Sequence, residues 1–209
     1  RIVCKNTKAF KKELAINKHL KLFESDTNPI FQCLSENYLN QDSPKLNVVF
    51  WDIETDFDPE RGFAPPEDPF MPITAITVYL QWLETLITVA VPPKGLSLQE
   101  ARVMVNEKWP DNTVVLFDND ADGNGERAML ETFLDLIEDA DMHSGWNSEG
   151  YDVPYTINRI ARVLSKDDTR RFCLWQQLPK RREFAKFGKT SETYDTIGRV
   201  HMDYLNLYR

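Results

Sequence analysis

The sequence has few of the features that direct a protein out of a reducing compartment. It contains three cysteines, Cys4, Cys33 and Cys173, at wide spacings and without a CxxC pair, so neither a disulfide framework nor a cysteine zinc site is expected. No apolar run approaches the roughly 20 residues that a bilayer-spanning helix needs. The first residues lack the apolar core and cleavage site of a signal peptide. We therefore expect a cytoplasmic protein with no membrane partner.

Positive charge is also scarce. The 33 acidic and 25 basic residues give a net charge of −8, which argues against a protein that coats duplex DNA by electrostatics alone. The exception is the segment from 159 to 189, where ten Lys or Arg residues stand against three acidic residues. Such a segment can face a phosphate backbone, or it can be the solvated charged surface beside a helix. The sequence leaves both interpretations open.

Prolines and polar residues divide the chain near residue 45. Residues 7 to 23 predict a helix, because their apolar side chains recur at helical spacing. The stretch that follows contains two prolines and the polar run NQDSP, which is typical of a boundary. We therefore predict a separate piece over residues 1 to 45 and a larger domain over residues 46 to 209.

The pattern of the larger domain is that of an α/β fold. Three strand patterns come first, at 46 to 53 and in the runs ITAITVYLQW and TLITVAVP, and a proline-rich loop follows the first of them. Helix and strand patterns then alternate up to a long, irregular, basic segment and a final strand in GRVHMDYLNLYR. Among them are a helix with an Ser97–Glu100 capping box, a short buried strand at 113 to 118 and a helix over 125 to 140. We predict a mixed sheet, with three antiparallel strands followed by strand–helix repeats, flanked by helices.

The first strand ends in two carboxylates. In NVVFWDIETDFDP, residues 47 to 59, Asp52 and Glu54 share one face of the strand, whereas Ile53 points to the other. Two acids this close raise each other's pKa unless a cation lies between them, and a divalent metal ion is the usual cation. A glycosidase-type acid pair is a weaker explanation, because it needs carboxyl groups from two elements. A solvated pair of acids at a strand end is the remaining alternative.

A second polar group precedes the last predicted long helix. The stretch HSGWNSEGYDVPYTINR, residues 143 to 159, contains Asn147, Tyr151 and Asp152. An aromatic ring can stack on a base, an amide can hydrogen-bond to it, and a carboxylate can hold a metal ion. Asp152 also lies at a strand-to-helix junction, where an acidic residue can simply cap the helix.

These two stretches carry a family resemblance. DIET, residues 52 to 55, followed by GWNSEGYD, residues 145 to 152, resembles the Exo I and Exo II motifs of the 3′–5′ proofreading exonuclease domain of family B DNA polymerases. GRVHMD resembles the strand that follows Exo II in that family, and the sequence around the motifs is most similar to the polymerases of T-even-type bacteriophages. The resemblance covers about residues 46 to 209. It makes residues 1 to 45 the end of the preceding amino-terminal domain of the polymerase.

The resemblance implies a ribonuclease-H-like fold and hydrolysis of phosphodiesters with two divalent metal ions, Mg²⁺ or Mn²⁺. By motif position, Asp52 would bind both metal ions, Glu54 the ion that holds the attacking water, and Asp152 the second ion. Asn147 and Tyr151 would hold the last nucleotides of a single-stranded primer 3′ end, and Thr55 would contact the terminal nucleotide. The implied partners are that DNA end and the remaining polymerase domains, in the host cytoplasm if the protein is viral.

One expected motif is absent from the sequence. The family has a fourth carboxylate in an Exo III motif, YxxxD or HxxxD, and no such pattern follows Asp152. Tyr38 and Asp42 fit the pattern but precede Exo I. We therefore expect a fragment that ends before Exo III, with weak or no activity. The alternatives are a stand-alone two-metal exonuclease of the same fold and a non-catalytic domain that binds single-stranded DNA.

Overall fold

The chain divides into two units, Arg1–Lys45 and Leu46–Arg209. The structure, a computed structural model, describes residues 4–23, 28–119, 123–186 and 188–208. The first unit contains helices α1 (Thr7–Ile16) and α2 (Pro29–Tyr38). The prediction of one helix through residue 23 is wrong, because α1 ends where Asn17 bonds the Glu13 carbonyl with its backbone N–H and its side-chain amide. The second helix, capped by the Asn28 side chain, was not predicted.

The second unit is built on a six-stranded mixed sheet. Its strands are β1 (Val48–Thr55), β2 (Ile73–Leu80), β3 (Thr85–Ala90), β4 (Thr113–Leu116), β5 (Met142–Gly145) and β8 (Val200–Asp203), in the order β4-β3-β2-β1-β5-β8. The first three strands are antiparallel, and β4, β5 and β8 are each parallel to the neighbour that they join. The predicted mixed sheet with an antiparallel start is confirmed.

Helices α3 (Leu98–Lys108), α4 (Asn124–Leu136) and α5 (Asp152–Val163) lie between these strands in the chain. The predicted capping box is present, because the Ser97 and Glu100 side chains each accept a bond from the other's backbone N–H. The predicted helix over 125 to 140 is α4, which ends at Leu136, and Met129, Phe133 and Ile137 of the predicted stretch are fully buried. Short 3-10 turns occupy Gln81–Leu83, Asp168–Phe172 and Tyr204–Tyr208.

Alternation along β1 places its apolar residues in the core. Val49, Trp51 and Ile53 are buried, whereas Asp52 and Glu54 are exposed. The Trp51 ring packs against Phe133 of α4, with ring centroids 5.1 Å apart. Because side chains on a strand alternate between faces, burial of one face of β1 presents both carboxylates on the other. This confirms the predicted shared face of Asp52 and Glu54.

Two predictions about strands were wrong. The strand β4 lies at the edge of the sheet and is exposed or half-buried throughout, rather than buried. The basic segment predicted to be irregular contains a hairpin of β6 (Lys180–Lys186) and β7 (Lys189–Asp195), which form a separate two-stranded sheet. Its strands lack apolar alternation, and charge pairs such as that of Arg181 with Glu192 join one strand to the other.

A buried ion pair anchors α5. Arg159 bonds both carboxylate oxygens of Glu126 on α4, through Nε at 2.7 Å and Nη2 at 2.6 Å, and both side chains are about nine-tenths buried. Glu126 also accepts a bond from the backbone N–H of Ile73, the first residue of β2.

The same face of α5 holds the proline-rich loop between β1 and β2. Tyr155 Oη donates to the Met71 carbonyl at 2.6 Å, Asn158 Nδ2 to that of Pro66 at 2.8 Å, and Arg159 Nη1 to that of Pro69 at 2.9 Å. Prolines cannot join a sheet ladder through their own nitrogen. The helix therefore supplies hydrogen bonds that the loop cannot make within itself.

We predict that Arg159→Gln lowers the free energy of unfolding by about 3–5 kcal/mol, because it leaves the Glu126 carboxylate buried without its cation. Arg162→Gln is the matched control on the same helix. Its partner is Asp68, and both of those side chains are more than half exposed, so its loss should be below about 1 kcal/mol. Urea unfolding at pH 7 measures both variants, and equal losses would contradict the role assigned to the buried pair.

Candidate active site

The acidic end of β1 lies beyond the last residue that pairs with β5. The parallel pairing stops at Phe50 opposite Ser144, whereas the antiparallel pairing with β2 continues to Thr55 with a bulge after Glu54. Bulges redirect side chains at strand ends and are frequent beside active sites. The β1 residues from Asp52 onward are therefore free of a strand neighbour on one side.

Asp152 lies beside β1 on the side where pairing with β5 has ended. It is the first residue of α5 and only 5% exposed, and its Oδ1 accepts the backbone N–H of Ile53 at 3.2 Å. The carboxylate takes the place that a strand partner would occupy, since a buried backbone N–H needs an acceptor. This contact joins the DIET and GWNSEGYD stretches, which are 99 residues apart in the chain.

The Asp152 carboxyl is held close to Asp52. Burial, and then repulsion by the Asp52 charge together with a side-chain hydrogen bond to Asp52, raise the pKa of Asp152 to about 7. Hydrogen bonds from the backbone N–H groups of Ile53 and Asp152 oppose this rise. Two acids that share a site without a cation behave in this way. The structure thus brings together two of the three predicted ligands.

Glu54 faces a different space from the Asp52–Asp152 pair. It is exposed and lines a cleft of about 880 Å³ together with Thr55, Asp56 and residues of the loops after β3 and before α4. Within residues 4–23, 28–119, 123–186 and 188–208, no three His, Cys, Asp or Glu side chains are grouped closely enough to hold a metal ion.

Two of the predicted DNA-binding residues contact each other. Thr55 Oγ1 and Tyr151 Oη are 3.3 Å apart, and Tyr151 Oη also donates to the Ala64 carbonyl at 3.5 Å. The Tyr151 ring packs against Tyr155, with ring centroids 5.2 Å apart. One side of the Tyr151 ring is thus supported by α5, which holds the phenol beside the acidic end of β1.

The segment between β5 and α5, residues 146–151, is called the Exo II loop below. Asn147 begins its turn with φ of 57°, in the left-handed region that asparagine tolerates better than most residues, and its carbonyl accepts the N–H of Gly150. Gly145, just before the loop, lies so close to β1 that a Cβ would be 2.8 Å from the Trp51 carbonyl oxygen. Only glycine allows this approach without a shift of backbone.

Several residues that support the Exo II loop were missed by sequence reasoning. Ser148 Oγ and His201 Nε2 are 2.9 Å apart, and the Glu149 N–H donates to the Asp203 carboxylate at 3.4 Å. Both partners come from β8, which pairs with β5. The GRVHMD stretch was recognised as a strand, but its spacing from Exo II gave no signal that alternate residues would contact this loop.

Comparison with known proteins identifies the family of this chain. A model of the family described as "DNA polymerase family B, exonuclease domain" matches residues 13–209. The chain belongs to this family. The predicted resemblance is confirmed, and the six-stranded mixed sheet with flanking helices agrees with the predicted ribonuclease-H-like fold.

The chain is also similar to a bacteriophage DNA polymerase. Over 88 residues the chain is 34% identical to a DNA-directed DNA polymerase of Enterobacteria phage T4. The match covers 41% of this chain and 10% of the phage protein. Among the described residues of this exonuclease-family chain, no helix is long and apolar enough to cross a membrane.

This family B exonuclease domain brings together two carboxylates whose chemistry suits a divalent cation. Asp52 and Asp152 supply carboxylate oxygens, which Mg²⁺ and Mn²⁺ prefer as ligands. A cation between them would also remove the repulsion that contributes to the raised pKa of Asp152. Glu54 follows on the same face of β1 and lines the neighbouring cleft.

We predict that Asp52→Asn stabilises the metal-free protein at pH 8 but not at pH 5. The folded-state pKa of Asp152 is raised to about 7 from 3.8, so its contribution to stability is complete below pH 4 and is lost as the pH rises through 7. Without the Asp52 charge the pKa of Asp152 falls, and at pH 8 the variant should gain about 1 kcal/mol relative to wild type.

Urea unfolding in EDTA at both pH values measures this difference. Glu54→Gln is the control, since it removes the same charge from the same strand but Glu54 does not act on the pKa of Asp152. A gain of equal size at pH 5 and pH 8 would show that Asp52 does not act through Asp152.

Proposed function

We propose that this chain carries the 3′–5′ proofreading exonuclease of a family B DNA polymerase, and that it hydrolyses the 3′-terminal phosphodiester of single-stranded DNA. The observation that supports this most directly is the buried Asp152 carboxyl, which lies against Asp52 at the end of β1 and has its pKa raised to about 7. Such a pair is unfavourable for folding alone, and it suits a cation that arrives with function.

The proposed ligands are Asp52, Glu54 and Asp152, as the motif positions predicted. Two divalent ions held there would supply an activated water and a stabilised leaving 3′ oxygen. The protein's part is to hold the three carboxylates. Asp152 is fixed by the Ile53 N–H and Asp52 by its place in the β1–β2 ladder, and Glu54, exposed on the same face of β1, would supply the third carboxylate.

The proposed DNA contacts come from Asn147, Tyr151 and Thr55. All three lie on the segments that bear the carboxylates, and Tyr151 and Thr55 already contact each other. The primer 3′ end would lie along the cleft that Glu54 and Thr55 line. A mismatched end costs less free energy to unpair than a matched one, so the site would select mismatched termini without reading sequence.

The wider assignments are also proposals. Residues 1 to 45 would be the end of the polymerase amino-terminal domain, and the remaining polymerase domains would be partners of this chain in the cytoplasm, which is that of the host if the protein is viral. We further propose that residues 1–209 alone hydrolyse DNA slowly, because no YxxxD or HxxxD pattern follows Asp152 to supply a fourth carboxylate.

We predict that the protein binds Mn²⁺ and that binding weakens below pH 7. A proton must leave Asp152 before it can act as a ligand, so the affinity should fall about tenfold per pH unit below its pKa of about 7. Titration calorimetry at pH 8 and pH 6 measures this. Asp52→Asn and Asp152→Asn should abolish binding, while Asp56→Asn, which removes an acid from the cleft that Glu54 lines, should not. Equal affinities for wild type and Asp52→Asn would reject the site.

We predict shortening of a 5′-labelled single-stranded oligonucleotide one nucleotide at a time in the presence of Mn²⁺. Asp152→Asn should slow the reaction by at least about 100-fold, the scale of losing one group that stabilises transition-state charge. A primer with a mismatched 3′ end should be shortened faster than a paired one. Loss of the 5′ label as a free mononucleotide, or an Asp152→Asn variant as fast as wild type, would contradict the proposal.

A further inference from the structure

Glu149 connects the Exo II loop to three neighbouring elements. Its side chain is only 18% exposed, and its carboxylate accepts Arg182 Nη2 of β6 at 2.6 Å and Asn206 Nδ2 of the last 3-10 turn at 3.4 Å. Its backbone N–H donates to Asp203 of β8. Glu149 lies three residues before Asp152, so these contacts act on the backbone that leads into the carboxylate of the site.

Arg182 joins this loop to the β6–β7 hairpin. Its Nε donates to Asp195 Oδ1 of β7 at 2.7 Å, while its Nη2 donates to Glu149. The two carboxylates raise the pKa of the guanidinium. A guanidinium offers five donors in a rigid planar arrangement, so one side chain can hold both strands of the hairpin and the loop in a fixed relation.

The hairpin also contacts α5 on the far side of Asp152. Tyr194 Oη of β7 donates to Asn158 Oδ1 of α5 at 2.7 Å, and Asn158 in turn bonds the proline-rich loop. The hairpin therefore contacts the chain on both sides of Asp152, through Glu149 before it and through Asn158 after it. The contact with the Exo II loop is made by the guanidinium of Arg182.

We propose that Arg182 is a positioning residue for the exonuclease site: by bridging Asp195 and Glu149 it fixes the Exo II loop, and with it Asn147 and Asp152, relative to the hairpin. This inference rests on the proposed function for its catalytic consequence. The positioning itself is a property of the fold and can be measured without activity.

Arg181 provides a matched control. It is adjacent to Arg182, carries the same charge and points to the opposite face of the same strand. Its partner is Glu192 of β7, which lies diagonally across the hairpin from it. Arg181→Gln and Arg182→Gln thus remove the same charge from the same hairpin, but only the second removes a contact with the Exo II loop.

The first measurement is amide hydrogen exchange, residue by residue, in the metal-free protein. The amides of Glu149, Gly150 and Val153 are hydrogen-bonded in and around the loop. The exchange of these amides should be about tenfold faster in Arg182→Gln than in wild type, and it should be unchanged in Arg181→Gln. Arg182→Lys should be intermediate, because an ammonium keeps the charge but cannot reproduce the planar guanidinium that bonds Asp195 and Glu149 together. Exchange that rises no more in Arg182→Gln than in Arg181→Gln would overturn the proposal.

The second measurement is steady-state hydrolysis of a single-stranded oligonucleotide. Arg182→Gln should lower kcat about tenfold, because the displaced loop leads into the proposed ligand Asp152, and any weaker DNA contact from Asn147 adds a rise in KM. Arg181→Gln should leave kcat within about twofold, and any loss of attraction for DNA appears in KM. If no variant, wild type included, hydrolyses DNA, the proposed function fails while the exchange result still decides the positioning role. A kcat for Arg182→Gln equal to that of Arg181→Gln would refute the catalytic consequence.

Discussion

The buried pair of Arg159 and Glu126 fixes how α5 lies against the sheet. The arrangement of carboxylates at the acidic end of β1 depends on that placement. The pair joins α4, α5 and the first residue of β2 through charge-assisted hydrogen bonds. Removal of a charge from water is costly, so the pair is stable only in the one arrangement that satisfies both partners. From Arg159 the helix runs back two turns to Asp152. The anchor at one end of the helix thereby sets where the carboxylate at the other end meets β1.

This placement explains how the fold tolerates two acids in contact. Asp152 is buried, hydrogen-bonded to the Ile53 N–H and close to Asp52, an arrangement that disfavours ionisation. The cost is local, while the contacts that offset it lie elsewhere: the aromatic packing of Trp51 on Phe133 and the hydrogen bonds of α5 to the proline-rich loop. An unfavourable local arrangement that a packed core supports is typical of functional sites.

Sequence reasoning succeeded where local pattern determines geometry. Alternation along β1 predicted that Asp52 and Glu54 share a face. The placement of Asp152 against the end of β1 came instead from the resemblance of the two motifs to a family, not from a local pattern. Sequence reasoning failed where contacts depend on tertiary placement. The β6–β7 hairpin has charges where a strand would show apolar residues, and the contact of Arg182 with Glu149 joins residues 33 apart. Neither periodicity nor motif spacing carries information about such pairs, and the support of Ser148 by His201 was missed for the same reason.

His143, in the same unit as Asp152 (Leu46–Arg209), is also buried and titratable. Its effect on stability changes with pH in the opposite direction to that of Asp152. His143 packs among Trp51 and Phe172, and burial lowers its pKa to about 3 from 6.5. Its contribution to stability is complete above pH 6.5 and is lost as the pH falls toward 3, whereas that of Asp152 is lost as the pH rises from 3.8 through 7. Between about pH 4 and 6.5 the two slopes, each near 1.4 kcal/mol per pH unit, oppose each other. A cation bound at Asp152 removes one of them, because the ionised form is then favoured in the folded state. Metal binding would therefore leave the slope of His143, and that of His201, whose pKa burial also lowers, without the opposing slope of Asp152. It would favour the folded domain most at neutral and higher pH, where Asp152 without metal costs stability.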